Sequence, residues 1–129
     1  MRVRHVGDRV VQAETKGFKI TTDVPSEPGG DVTAPSPGDL LLAALGNCTF
    51  YYVLHFCRQH DVPLDDVWLS VDVDRNEETH RMEKIRMDIH LPEGTPDSHL
   101  NAVVRAAAQC TIKKYLQDCP EIETTASKA

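Results

Sequence analysis

Neither sign of charge is gathered into a long block in this chain of 129 residues, where 14 Lys and Arg stand against 20 Asp and Glu for a formal net charge of −6. A surface that grips nucleic-acid phosphates needs clustered cations, so nucleic acid is excluded from the expected partners. The opening MRVRHVGDRVVQ lacks an apolar stretch of signal-peptide length, and a cytoplasmic location is the expectation. Close-spaced cysteine pairs are missing too. The four cysteines at 48, 57, 110 and 119 fall in the pattern C-x8-C twice, whereas zinc sites use pairs two to four residues apart, so no metal cofactor is expected. In a reducing compartment that count implies no disulfide framework. Internal repeats are absent as well.

A membrane span is the one excluded class that needs argument. LLLAALGNCTFYYVLHFC, from Leu40 to Cys57, runs 18 residues without a formal charge, close to the lower limit for a span. Gly46, Asn47, Thr49, Tyr51, Tyr52 and His55 would be costly against lipid, and Asp39 and Arg58 close the run at once. The run is read as a buried helix, and no membrane partner is expected.

What is present fits a single domain, residues 1–129, of the α+β class. Residues 2 to 22 alternate in the β manner and are broken at Gly7-Asp8 and Lys16-Gly17, which predicts short antiparallel strands joined by tight turns. DVPSEPGGDVTAPS, residues 23 to 36, is a long loop of Pro, Gly and small polar residues suited to a lid or a dimer contact. Ser36, Pro37 and Asp39 then form a helix start, and Asp61-Val62-Pro63 a stop near His60. Apolar side chains on nearly every face of this helix require cover on its far side, from a second helix, a second subunit, or both.

Val67, Leu69, Val71 and Val73 share one face of a strand, and Ile85, Met87, Ile89 and Leu91 repeat the pattern after a polar turn, which predicts a hairpin. A second long helix is predicted from Thr95 as cap and Pro96 as first residue through to Cys119-Pro120, with EIETTAS as a last short strand.

The chemistry turns on cysteine. Cys48 lies about twelve residues into its helix, beyond the reach of the helix dipole, so a reactive thiolate there needs a cation from elsewhere. Arg2, Arg4 and Arg9 of the N-terminal strands are available. Free cysteine also serves simply as a small buried hydrophobe. Both readings stand for Cys48 and Cys110, which sit on inward stripes of two elements expected to pack together, an arrangement that permits a nucleophile and a resolving partner. Cys57, half a turn around from Cys48, is assigned to packing, and Cys119 to an idle, exposed thiol. The six histidines are assigned to local hydrogen bonds or solvent. Tyr52, one turn from Cys48, is a candidate pocket wall.

The stretch DVPSEPGGDVTAPSPGDLLLAALGNC resembles the OsmC/Ohr family, whose members share D-x-P-x-x-x-G-G-x-x followed by S-P-x-E-L-L-L-A-A-L-G-x-C. The second half, a hairpin and then AAAQCTIKKYL, is similar in kind. The resemblance implies antiparallel sheets packed on two long central helices in an intertwined homodimer. It also implies a thiol-dependent peroxidase that reduces organic hydroperoxides or hydrogen peroxide. Cys48 would attack the peroxide as a thiolate, Cys110 would form a disulfide with it, and an external dithiol would reduce that bond. The family arginine maps near Arg9, with Arg4 in reserve, and the motif acid maps to Asp39. The chain departs from the pattern at Gly38, which follows the motif proline directly, and at Thr111, which follows the second cysteine. Those departures motivate an alternative: a non-catalytic dimeric module that binds a small apolar ligand or carries sulfur.

Overall fold

The computed structural model describes residues 1–128. The chain is α+β, with elements in the order β1 (Arg2–Gly7), β2 (Val10–Thr15), β3 (Phe18–Thr22), α1 (Pro37–Gln59), β4 (Trp68–Arg75), β5 (Met82–His90), α2 (Asp97–Ala107) and α3 (Thr111–Gln117). It divides into two compact units, Met1–Ala43 and Ala44–Ala129, with the boundary inside α1.

In the first unit, β1, β2 and β3 form an antiparallel meander. The Lys16-Gly17 turn works because both residues take positive φ, 50° and 82°, which matches a two-residue hairpin turn to the right-handed twist of its strands. The long loop after β3 is closed at its base, where Asp23 N–H donates to Pro35 O at 3.1 Å. Asp23, only 8% exposed, holds the loop from inside. Its carboxylate accepts from Val24 N–H at 2.8 Å, Thr33 N–H at 2.9 Å and the Thr33 hydroxyl at 3.0 Å. These bonds, from Thr33 first, hold the Asp23 carboxyl below the usual carboxylate range against the opposing effect of burial, with a smaller contribution from the Arg9 charge.

The start of α1 is a reciprocal cap. Asp39 N–H donates to Ser36 Oγ at 3.1 Å, while Ser36 N–H and its hydroxyl donate to Asp39 Oδ2 at 2.9 and 2.8 Å. The stop is equally local. Asp61 takes φ 53° and Val62 N–H reaches back to Cys57 O at 2.9 Å, the wide bond of a left-handed helix terminus, after which Val62 is buried.

In the second unit, β4 and β5 pair antiparallel so that Leu69 opposes Ile89, Val71 opposes Met87 and Val73 opposes Ile85, the one-faced hairpin expected from the alternation. The core gathers Val53, Phe56 and Cys57 of α1 with Val62, Val67, Val103 and Ala107, and Phe50, Ile89 and Leu91 pack against it. Helix α1 is long and apolar enough by length and composition to cross a membrane. Its inward side is nonetheless occupied, with Leu45, Gly46, Thr49, Val53, Phe56 and Cys57 buried.

Three local expectations are corrected. The second long helix is two helices, α2 and α3, separated at Ala108, Gln109 and Cys110. Thr95 does not cap α2: Pro96 occupies the N-cap without a side-chain bond, and the Thr95 hydroxyl donates instead to Pro92 O at 2.7 Å. Residues 119–128 form no strand.

Candidate functional site

The break between α2 and α3 is what builds the site. Gln109 N–H and Cys110 N–H bond to Ala106 O and Ala107 O, both at 3.1 Å, tightening the last turn of α2. Cys110 then leaves helical geometry at φ −48°, ψ 120° and becomes the N-cap of α3, its sulfur accepting from Lys113 N–H at 3.4 Å. Nothing in AAAQCT carries a glycine or proline to announce this break. The chain spends a helical turn to aim the thiol inward, where Cys110 is fully buried.

Cys48 and Cys110 are brought together. Cys48, half-buried on α1, lies within hydrogen-bonding reach of Cys110, as does the hydroxyl of its neighbour Thr49. Burial pushes the Cys110 thiol up. Hydrogen bonds from the Thr49 hydroxyl, Lys113 N–H, the Cys48 thiol and Ile112 N–H outweigh it, and the net direction is down from the ordinary thiol range. As a neutral thiol, Cys110 faces Leu45 O at 4.0 Å.

Thr49 was not singled out by the sequence reading. It is 2% exposed, and its hydroxyl lies 3.6 Å from Met87 Sδ on β5. A hydroxyl has one proton, so it serves the weak thioether acceptor or the Cys110 sulfur, and a thiolate is the stronger claimant. A polar residue inside the buried stripe of α1, directly after a cysteine, was the available signal. Lys113, three residues after Cys110, was missed as well. It lines a cavity of about 360 Å³ with Thr49, Met87, Ile89, Val103 and Ala107, and a second of about 370 Å³ with Leu45, Ile85, Met87 and Leu116. The first space is mostly apolar-walled and the second is mixed, with Glu83, Lys84 and Gln117 also on its wall; both abut residues near Cys110.

The other two predicted site residues, Arg9 and Asp39, lie in the first unit. Arg9 Nη1 donates to Pro25 O at 3.4 Å within the Asp23 loop, and Asp39 forms the Ser36 cap. Cys57 is fully buried and its thiol is pushed up by burial, in keeping with packing, while Cys119 is exposed with its thiol 3.5 Å from Leu116 O. Among the histidines, His5 bonds Asp8 O at 2.8 Å, His60 bonds Phe56 O at 2.9 Å and His90 meets Asp88 at 3.5 Å. Among the described residues, no group of three or more His, Cys, Asp or Glu is placed to hold a metal ion. Tyr52 is half-buried and lines neither cavity.

Known proteins share the fold. The fold matches that of an OsmC-like protein from Mycoplasma pneumoniae at 15% identity and TM-score 0.73, over 92% of this chain and 86% of that one. It also matches an organic hydroperoxide resistance protein OsmC from Legionella pneumophila at 21% identity and TM-score 0.61, over 90% and 88%. An OsmC-like hydroperoxide resistance protein from Jannaschia sp. CCS1 matches at 20% identity and TM-score 0.57, over 98% and 89%. No match was found among curated protein sequences. The family model for OsmC-like protein matches residues 28–125, a span that holds the second part of the motif loop, Cys48, Cys110 and the hairpin between them. On that match, covering most of the chain, the protein belongs to the OsmC-like family.

Proposed function

We propose that this protein is a cytoplasmic, homodimeric thiol peroxidase that reduces organic hydroperoxides or hydrogen peroxide. The observation that carries the reading is the meeting of Cys48 and Cys110 beside Thr49 and Lys113, next to apolar space. Names of the Legionella and Jannaschia proteins, which refer to hydroperoxide resistance, support it.

In this reading the Cys48 thiolate attacks one peroxide oxygen. The O–O bond breaks, the departing oxygen leaves as alcohol or water after taking a proton, and Cys48 becomes a sulfenic acid. The Cys110 thiolate then attacks the Cys48 sulfur and hydroxide leaves, giving the disulfide. An external dithiol restores both thiols. The sequence of roles suits the burial: the half-buried sulfur meets peroxide, and the fully buried one, whose donors favour its charged form, resolves. Arg9 and Asp39 enter the scheme through the family resemblance, as thiolate partner and as the acid that orients it. A second copy of the chain is expected to cover apolar side chains that are otherwise exposed, including Phe18 at 71% and Tyr51 at 74%.

The test is turnover. Purified protein with cumene hydroperoxide and dithiothreitol is expected to consume peroxide and to pass through a Cys48–Cys110 disulfide seen by peptide mapping, while Cys48→Ser does neither. Undiminished turnover in Cys48→Ser would overturn the proposal. Binding of an apolar ligand without any peroxide-induced change of mass would favour the non-catalytic module, for which the mostly apolar first cavity is the motivating feature.

A further inference from the structure

We infer that an external dithiol attacks the sulfur of Cys48, and that Cys110 is expelled as the leaving thiolate. This rests on the peroxidase reading in needing a Cys48–Cys110 disulfide, and it goes further by assigning which sulfur receives the reductant.

Two independent features point the same way. The first is access. An incoming thiolate must reach the sulfur it strikes along the axis of the S–S bond, and Cys110 is fully buried while Cys48 is only half-buried. The second is the fate of the departing sulfur. A leaving thiolate needs hydrogen-bond donors already in place, and around Cys110 the fold supplies Lys113 N–H at 3.4 Å together with the buried Thr49 hydroxyl. The Thr49 proton, which otherwise faces Met87 Sδ at 3.6 Å, is free to turn to sulfur as charge develops. Burial bars attack at Cys110; it also opposes charge on the departing sulfur, and the donors around that sulfur outweigh it. The downward direction of the Cys110 titration has the same origin, and thiols of lower pKa leave faster.

The step balances as follows in atoms and electrons. The first thiolate of the dithiol forms a bond to Cys48 Sγ as the Cys48–Cys110 bond breaks, and the electron pair of that bond stays on Cys110 Sγ. The second thiol of the dithiol loses its proton and attacks the dithiol sulfur of the mixed disulfide. The Cys48 thiolate departs and the dithiol leaves as a cyclic disulfide. Two electrons pass to the protein, and the protons released by the dithiol are available to the two cysteines through solvent.

Diamide forms the disulfide without peroxide, so attack can be followed whether or not the protein is a peroxidase. The oxidised protein, carrying Cys119→Ser to remove the exposed thiol, is mixed briefly with 2-mercaptoethanol, quenched in acid, alkylated and mapped by mass spectrometry. The mercaptoethanol adduct is expected mainly on Cys48, with Cys110 alkylated. An adduct equally or mainly on Cys110 overturns the inference, and so does failure of diamide to join the two cysteines. If peroxide fails to make the disulfide that diamide makes, the peroxidase reading falls while the map still decides the direction of attack. Thr49 is a positioning residue in this scheme. Thr49→Val is expected to slow dithiothreitol reduction of the diamide-formed disulfide about three-fold or more, because the departing sulfur loses one of its donors, and Thr49→Ser to restore it. Equal rates in wild type and Thr49→Val would overturn the leaving-group argument.

Discussion

Gly46 offers the sharpest test of how α1 is seated on the hairpin that carries Met87. A methyl group added there would lie 3.1 Å from Val71 Cγ2 and 3.8 Å from Leu69 Cδ2. Carbon atoms prefer about 3.5 to 4.0 Å, so Gly46→Ala forces a shift of a few tenths of an ångström. Two effects of opposite sign then compete. Alanine favours the helix by about 1 kcal/mol over glycine, while overpacking a well-filled contact costs about 1–3 kcal/mol. Stiffness decides between them: Val71 is β-branched, with little rotamer freedom, and sits in the paired strand β4 opposite Met87.

The expected net is a loss of about 1 kcal/mol, or a fall in Tm of roughly 3–5 °C for a chain of this size. A double-mutant cycle isolates the cause. Val71→Ala removes the opposing methyls, and on that background Gly46→Ala should stabilise by about 1 kcal/mol through helix propensity alone, a coupling of about 2 kcal/mol. Urea melts of the four proteins measure it. The reasoning is refuted if Gly46→Ala raises the stability of the otherwise wild-type chain, or if the two changes add to within about 0.5 kcal/mol. Diamide-driven disulfide formation is a second readout, because Gly46 lies two residues before Cys48 on the same helix.

Cys57→Ser exchanges a fully buried thiol in the core cluster for a more polar hydroxyl, and should cost about 1–3 kcal/mol in urea unfolding while leaving peroxide turnover per folded molecule intact. Loss of turnover in fully folded Cys57→Ser would place this thiol in the chemistry after all. Asp23→Asn tests the loop. The Asp23 carboxyl titrates lower when folded than when unfolded, so its stabilisation is complete above the unfolded value of about 4 and is lost as pH falls through the lower folded value. Wild type should therefore melt higher than Asp23→Asn at neutral pH, with the gap closing on acidification below about pH 4. A gap that is independent of pH would mean that the loop does not depend on the charge of Asp23.

Much of the frame was legible because its causes are local. Lys16-Gly17 names a hairpin turn through the φ values it tolerates, and Ser36 with Asp39 names a helix start through donors only the first turn leaves free. The alternation in β4 and β5 fixes which residues face inward, and the observed register pairs them as the alternation requires. The SPGDLLLAALGNC motif carried the family, since few chains place that cap, run and cysteine together.

The break at Cys110 was not legible. Residues 106–111, AAAQCT, read as helix by propensity, and what distinguishes the break is the set of contacts far off in sequence, with Thr49 and Cys48, that join the local bonds at Cys110. Thr49 and Lys113 were invisible for the same reason: a hydroxyl in an apolar run and a lysine on a helix acquire meaning only when a sulfur is set beside them. The sequence by itself determined the N-terminal strands, the long first helix, the hairpin with its inward face and the candidate thiol pair, because those follow from period, turn chemistry and composition. Only the tertiary structure decided that Cys110 is an N-cap rather than a mid-helix residue, and that its sulfur is the one surrounded by donors. Hydrogen bonds between elements depend on where the folded chain brings them, which no local pattern encodes.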